Sequence, residues 1–195
     1  AQTSLVAKPK TIGAEEIHAA IERLAAAISQ RHPAPENLLL LGVANGGVEL
    51  ARRLARRLGP AAGKGVRTRA ANGAPAEVPH GTLDISFHRD DIGRHPIPKE
   101  FVPAHIPADV NGANVVIVDD VLFSGRTVKA ALDELFDHGR PARVELAILV
   151  DRGGRRLPFA PDYCGLTIEA GENEKVVVRL DPADPTKDTL TIRPA

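Results

Sequence analysis

Three short, almost unbroken apolar runs constrain this chain more than any other feature: Leu38–Val43, Asn114–Val118 and Val144–Val150. A strand with one wet face alternates polar and apolar side chains, so a continuous run reads as a strand buried on both faces. The stretches between them have helical periodicity. Ile17, Ile21, Leu24 and Ile28 place an amphipathic helix over 14–30, before the first run. His32–Pro35 ends it, because a residue preceding proline is pushed out of helical geometry. A turn at Asn45-Gly46-Gly47 leads to a helix over Val48–Leu58, with Leu50, Leu54 and Leu58 on one face. Its doublets Arg52-Arg53 and Arg56-Arg57 fall mainly on the other side and are expected to be solvated. A third helix runs from Ser124-Gly125-Arg126-Thr127 to His138, with Gly139 and Pro141 as its stop signals. Buried strands alternating with helices predict an α/β fold, a mainly parallel central sheet flanked by helices.

The remaining segments are less regular. Leu83, Ile85 and Phe87 alternate with Asp84, Ser86 and His88, the pattern of a half-buried strand. Lys175–Leu180 and Thr189–Ile192 are weaker strands. Residues 59–80, rich in Gly, Pro and Ala, read as a loop with a short strand near Val66–Arg69. Residues 89–113 hold four prolines, and a loop of that length in a compact domain is usually functional. Residues 1–13 are expected to be an arm and 14–195 a single domain, which suits a chain of 195 residues.

Composition removes several classes of function. Lys+Arg and Asp+Glu are both 25, so no global field draws the chain to nucleic acid or an anionic membrane. Aromatic residues are 3%, against a base-stacking platform. The one cysteine, Cys164, excludes an internal disulfide framework, and a reducing cytoplasm is the expected setting. Cys164 reads as structural, and no run approaches the ~20 apolar residues of a membrane span. The N-terminal residues lack the apolar centre of a signal peptide. The seven histidines have no metal-ligand spacing, and His18 and His138 are expected at the surface. Neither a Walker A nor a dinucleotide fingerprint is present.

Chemistry concentrates in one stretch: Val115-Val116-Ile117-Val118-Asp119-Asp120-Val121-Leu122-Phe123-Ser124-Gly125-Arg126-Thr127. Ligands of open α/β sheets bind beyond the carboxyl ends of the strands. Here a buried strand ends in two acids, and a short hydroxyl- and glycine-bearing loop opens a helix. Helix N-termini attract anions, and a glycine lets backbone N–H groups close around a phosphate. Carboxylates repel phosphate, so the acids must face sugar hydroxyls or a divalent cation. Neighbouring strand residues point to opposite faces, which gives Asp119 and Asp120 different tasks. The implied ligand is a sugar phosphate. A response-regulator receiver also has paired acids, but there they lie near the N-terminus and no phosphate-type loop follows. Ser124 lacks a nucleophile-elbow context and reads as a phosphate ligand. Asp90-Asp91 reads as loop solvation or caps.

The stretch resembles the ribose-phosphate motif of type I phosphoribosyltransferases. Gly81–Asp91 and Leu149–Tyr163 are similar to two further segments of that family's branch of pyrimidine-operon regulators with uracil phosphoribosyltransferase activity, PyrR. The resemblance covers most of 14–181. It implies the type I phosphoribosyltransferase fold with a small base-covering hood. It also implies transfer of phosphoribose from phosphoribosyl pyrophosphate (PRPP) to uracil, giving UMP and pyrophosphate with Mg²⁺. Asp119 and Asp120 would be the catalytic acids for ribose and Mg²⁺. Ser124, Gly125, Arg126 and Thr127 would hold the 5′-phosphate, and Val121, Leu122 and Phe123 before them would also bind substrate. Arg89, opening a flexible loop, would reach the pyrophosphate. Ala44, Asn45, Gly46 and Gly47 would form the pyrophosphate loop, and 151–163, beginning at Asp151 and Arg152, the base pocket. A homodimer or higher homo-oligomer is implied.

The chain departs from the branch at two places. Gly42-Val43-Ala44-Asn45-Gly46-Gly47 has Asn45 where the branch has the Thr of Thr-Arg-Gly or Thr-Gly-Gly, and no Arg, so a charge is missing relative to the Arg version. Residues 68–79 read as an insertion. Leader RNA is a possible partner in this branch, through a basic face that includes the first helix. Here that helix carries Glu15, Glu16 and Glu22 against Arg23, which disfavours RNA, although Arg152, Arg155 and Arg156 are further cations. A nucleotide-sensing RNA-binding regulator with little turnover is the alternative to the enzyme, and a purine transferase a weaker third.

Overall fold

The computed structural model describes residues 10–33, 37–43, 46–59, 77–86 and 104–195. The three apolar runs are the middle of its main sheet, as strands β2 (Leu38–Val43), β4 (Asn114–Leu122) and β5 (Arg143–Asp151). Strands β3 (His80–Leu83) and β6 (Tyr163–Thr167) flank them in the order β3-β2-β4-β5-β6, and every neighbouring pair is parallel. Side chains alternate between the two faces. Leu38, Leu40, Val116, Val118, Ala147 and Leu149 pack with helices α1 (Ala14–Arg31) and α2 (Gly46–Leu58). Leu39, Leu41, Val115, Ile117 and Ile148 pack with Val128, Ala131 and Leu135 of α3 (Arg126–Asp137). Both faces are covered, which is why these strands read as continuous apolar runs.

A second, antiparallel sheet joins β1 (Lys10–Ile12), β7 (Glu174–Arg179) and β8 (Thr189–Pro194) in the order β1-β8-β7. Val176, Leu190 and Ile192 anchor it in the core on the α1/α2 side. The end of the stretch expected as an arm is therefore a paired strand. Strand β6 was not legible because its sequence, Tyr-Cys-Gly-Leu-Thr, is short and lacks alternation. Gly165 is needed there: a Cβ would sit 2.8 Å from the Leu149 carbonyl and 3.2 Å from the Ala20 methyl.

Other boundaries differ from expectation. Strand β3 is buried, not half-buried, and stops at Leu83. Asp84 turns the chain, accepting the Ser86 N–H at 2.9 Å and its hydroxyl at 2.6 Å. The strand expected near Val66–Arg69, Phe87, and residues 68–76 of the insertion lie outside the described residues. Helix α2 begins at Gly46, two residues before the expected start at Val48.

The expectation of a solvated arginine face on α2 fails at Arg53, which is 5% exposed. Its guanidinium pairs with the buried Asp188, donates to the Asp181 carbonyl at 2.6 Å and reaches Glu49 at 2.7 Å. His18 is also not a free surface group, since its Nε2 lies 3.0 Å from Asp188. Arg52 adds a bond to the Pro182 carbonyl at 3.2 Å. This network pins the connection between β7 and β8 onto α1 and α2.

Candidate active site

Strand β4 does not stop before its acids; Asp119 and Asp120 are part of it. Asp119 pairs in register with Ile148 of the α3-facing set, so it points toward α3. Asp120 points the other way, against the first turn of α2, where a methyl group on Gly46 would overlap its carboxylate. The expected division of the two acids between faces is thus present. The alternation slips immediately afterwards: Val121 packs against the α1/α2 cluster and Leu122 belongs to the α3 cluster. At the slip the carboxylates bind the strand's own backbone. Asp119 accepts the Asp120 N–H at 3.0 Å, and Asp120 accepts the Val121 N–H at 2.9 Å.

Asp119 is 6% exposed. Burial, reinforced by the Asp120 carboxylate, pushes its carboxyl well above the ordinary value, and burial also pushes Asp120 up. Among the described residues no cation pairs with either acid. A buried and a half-buried carboxylate with no counter-ion among the described residues form a place for hydroxyl donors or a cation.

The turn after β4 is a tight, glycine-bearing cradle at a helix start. Phe123 and Ser124 lead to Gly125, whose φ of +89° is left-handed backbone, and α3 starts at Arg126. The first N–H groups of α3 have no intrahelical acceptor and point out of the helix end. Ser124 Oγ accepts the Arg126 N–H at 3.3 Å, and Arg126 and Thr127 are exposed. A Cβ on Gly125 would lie 2.9 Å from the Phe159 ring and 3.2 Å from Leu157 Cβ.

Those neighbours belong to a segment that clamps the cradle. The Arg156 and Leu157 N–H groups both donate to the Ser124 carbonyl, each at 3.0 Å. Arg155 donates to the Phe123 carbonyl at 3.1 Å and the Phe159 carbonyl at 3.0 Å, and pairs with Asp151. Arg152 is buried; it lies 4.1 Å over the Phe123 ring and donates to the Glu174 and Gly171 carbonyls at 2.7 and 2.9 Å. Asp151 and Arg152 therefore reach the site as its frame, with Arg152 joining the cradle to the base of β7. Of the three arginines considered for RNA, only Arg156 is exposed. Arg155 and Phe159 fall in the segment expected as the base pocket, but their clamping of the cradle was missed by sequence reasoning, because no periodicity marks a clamp made largely with backbone carbonyls.

The turn from β2 into α2 has another construction. A Cβ on Gly42 would lie 2.6 Å from the Gly47 carbonyl oxygen, and one on Gly47 would overlap the Val118 carbonyl. Glycine is required for α2 to start this close to β4. Beside it a cavity of about 310 Å³ is lined by Gly46, Glu49, Asp120, Val178, Arg179 and Leu180. Ala44, Asn45 and Arg89, expected at the pyrophosphate, lie outside the described residues. No group of three or more His, Cys, Asp or Glu able to hold a metal occurs among the described residues, and no helix there is long and apolar enough to cross a membrane.

A phosphoribosyl transferase domain matches residues 13–184. The chain belongs to the phosphoribosyltransferase family. The Bifunctional protein PyrR of Deinococcus radiodurans is 41% identical over 182 residues, covering 92% of this chain and 91% of the relative. The Bifunctional protein PyrR 1 of Lactiplantibacillus plantarum is 41% identical over 179 residues, 90% of this chain and 92% of the relative. Among solved structures, a hypoxanthine-guanine phosphoribosyltransferase from Bacillus anthracis superposes with a TM-score of 0.61 at 17% identity, covering 95% and 99% of the two chains. A hypoxanthine phosphoribosyl transferase from Trypanosoma cruzi gives 0.62 at 22%, covering 99% and 94%. These two likenesses concern the phosphoribosyltransferase fold alone.

Proposed function

We propose that this chain is a PyrR-like uracil phosphoribosyltransferase that converts uracil and PRPP to UMP and pyrophosphate. The observation that carries the reading is the pair of buried Asp119 and half-buried Asp120, without a cation partner among the described residues, followed after four intervening residues by a left-handed glycine and a helix N-terminus. That arrangement supports a ribose 5-phosphate held at both ends, its phosphate on Ser124–Thr127 and its hydroxyls at the acids.

In this reading the bond from the anomeric carbon to pyrophosphate breaks, and a bond to N1 of uracil forms as N1 loses its proton. Positive charge grows on the ribose as the leaving group departs. The acid pair stabilises that charge in a poorly hydrated setting, where a fixed carboxylate acts more strongly than in water. Leu157 and Phe159 lie against Gly125 on one side of the cradle, and the 151–163 segment is assigned the base side. Arg89 is assigned to the pyrophosphate by resemblance alone.

Mg²⁺ fits the donor set in one particular way. Two carboxylates do not make an octahedral cage, but Mg²⁺ commonly takes one or two carboxylates and completes its shell with water and substrate phosphates. Asp119 and Asp120 would hold it, and it would supply charge neutralisation for the leaving pyrophosphate.

The alternative, an RNA-binding regulator with little turnover, is compatible with relatives named bifunctional, but α1 does not favour it. Arg23 donates to the Gly165 carbonyl at 2.9 Å, and Arg31 faces Glu145 and Asp162 at 3.1 and 3.2 Å. The helix's cations are engaged within the chain while Glu15, Glu16 and Glu22 are exposed. The test is UMP formation from uracil and PRPP, with and without Mg²⁺, against cytosine, hypoxanthine, guanine and orotate. Mg²⁺-dependent turnover confined to uracil is expected. No reaction of any base, with PRPP or UMP still bound, contradicts the enzyme and leaves a sensor.

A further inference from the structure

We infer that Arg179, at the end of β7, is a pyrophosphate-binding residue that supplies the positive charge absent from the loop at 44–47. The inference rests on the phosphoribosyltransferase reading and deepens it. The loop residues Ala44-Asn45-Gly46-Gly47 carry no charge, yet pyrophosphate is a polyanion that must be neutralised when it is bound. The cavity at the start of α2 is lined by three charged side chains: Glu49, Asp120 and Arg179. Glu49 is already matched. Arg52 holds both of its oxygens at 2.7 Å, and Arg53 reaches one of them at 2.7 Å. Those two arginines are thereby committed, and Arg179 is the cation lining the cavity. It is exposed, and among the described residues it has no hydrogen-bonding or ion-pair partner.

Its position is fixed from behind. The residues just after it are fastened to α2: Arg53 bonds the Asp181 carbonyl at 2.6 Å and Arg52 the Pro182 carbonyl at 3.2 Å. Asp188, itself held by Arg53, accepts the Asp181 N–H at 2.8 Å. Arg179 is thus carried on a tethered strand end facing the N-terminus of α2, where helix N–H groups favour an anion. A guanidinium, a helix N-terminus and an acid able to share a cation line one cavity, which suits a metal-bound pyrophosphate. They offer nothing to UMP, which has no pyrophosphate.

The test uses the full chain with Arg179→Gln and Arg179→Lys. Binding of PRPP, of inorganic pyrophosphate and of UMP is measured by calorimetry in the presence of Mg²⁺. In Arg179→Gln, PRPP and pyrophosphate should weaken by about tenfold or more, the scale of one charge-assisted hydrogen bond. Arg179→Lys should recover part of that loss, and UMP affinity should stay at the wild-type value. Unchanged PRPP and pyrophosphate affinity in Arg179→Gln overturns the inference. So does an equal loss for UMP, which would mean a general disturbance. Wild-type protein that binds neither PRPP nor UMP would instead remove the phosphoribosyltransferase reading itself.

Discussion

The turn from β4 into α3 and the connection from β2 to α2 leave the same end of one sheet, yet their described surroundings are built differently. The first is tied by hydrogen bonds: Arg155, and the Arg156 and Leu157 N–H groups, fasten a neighbouring segment to the Phe123 and Ser124 carbonyls. Beside the second, the described residues Gly42, Gly46 and Gly47 leave no room for a Cβ against the Val48, Asp120 and Val118 atoms around them. The charges differ as well. The first turn of α3 at the cradle carries no acidic residue, whereas the cavity at the α2 turn is lined by Asp120, by Glu49 that is paired with Arg52 and Arg53, and by Arg179. A self-contained cradle suits a phosphate present in both substrate and product. A turn lined with acids suits an anion that arrives with its own cation and leaves.

The two tethers behind these turns should not be equal, and the larger effect belongs to the α2 side. Arg53→Ala leaves Asp188, 1% exposed, with only His18 and a backbone N–H beside it. Breaking such a buried pair costs about 3–5 kcal/mol, read as a fall in the denaturant midpoint. The loss depends on pH. Burial alone would raise the Asp188 carboxyl, but bonds from Arg53, the Asp181 N–H and His18 outweigh it and hold it below the ordinary 3.8. A depressed acid stabilises the fold above its unfolded value and loses that contribution as pH falls through its folded one. The gap between wild type and Arg53→Ala should therefore be full near neutral pH and shrink on acidification. A gap that widens in acid would contradict the pairing.

The acids between the two turns come next. Asp119→Asn and Asp120→Asn keep the side-chain shape, so melting temperature should hold. Turnover of uracil with PRPP should fall by about 10²-fold or more, the scale of losing one preorganised charge. Wild-type kcat/KM in both variants would move the ribose elsewhere.

A paired glycine experiment sharpens the contrast. Gly46→Ala should displace Asp120 and reduce PRPP binding while UMP binding persists; Gly125→Ala should weaken UMP and PRPP together. Each costs about 1–3 kcal/mol of stability, from overpacking or from left-handed strain. The same loss pattern in both variants would erase the distinction between the turns. The smallest effect expected is that of Arg155→Ala. Its half-buried guanidinium bridges Asp151 and carbonyls, and about 1–2 kcal/mol is expected, with UMP release faster in stopped-flow traces.

The parts of this architecture that were legible in the sequence are those set by local pattern. Leu38–Val43 reads as a strand because both of its faces are covered. Asp119–Thr127 reads as a sugar-phosphate site because acids, glycine and helix start are contiguous. What escaped depends on partners distant in the chain. Arg52 and Arg53 look alike on α2, but only Arg53 meets Asp188, 135 residues away. Arg155 has no recognisable spacing, since its acceptors are mostly backbone carbonyls. Strand β1 is three residues long and exists through its pairing with β8. The slip of β4 after Asp120 follows from carboxylates bonding to their own strand, which no hydropathy pattern encodes.

The most direct measurement is a calorimetric titration of the wild-type protein with UMP and with PRPP, each with Mg²⁺ and with the metal chelated. The account predicts that UMP binds with the same affinity in both conditions, since its phosphate rests on a cradle without carboxylates. PRPP should bind tightly only with Mg²⁺, because its pyrophosphate is assigned to the cavity where Asp120 has no cation partner among the described residues. UMP binding that vanishes with the metal, or PRPP binding that ignores it, would contradict the assignment of the two turns.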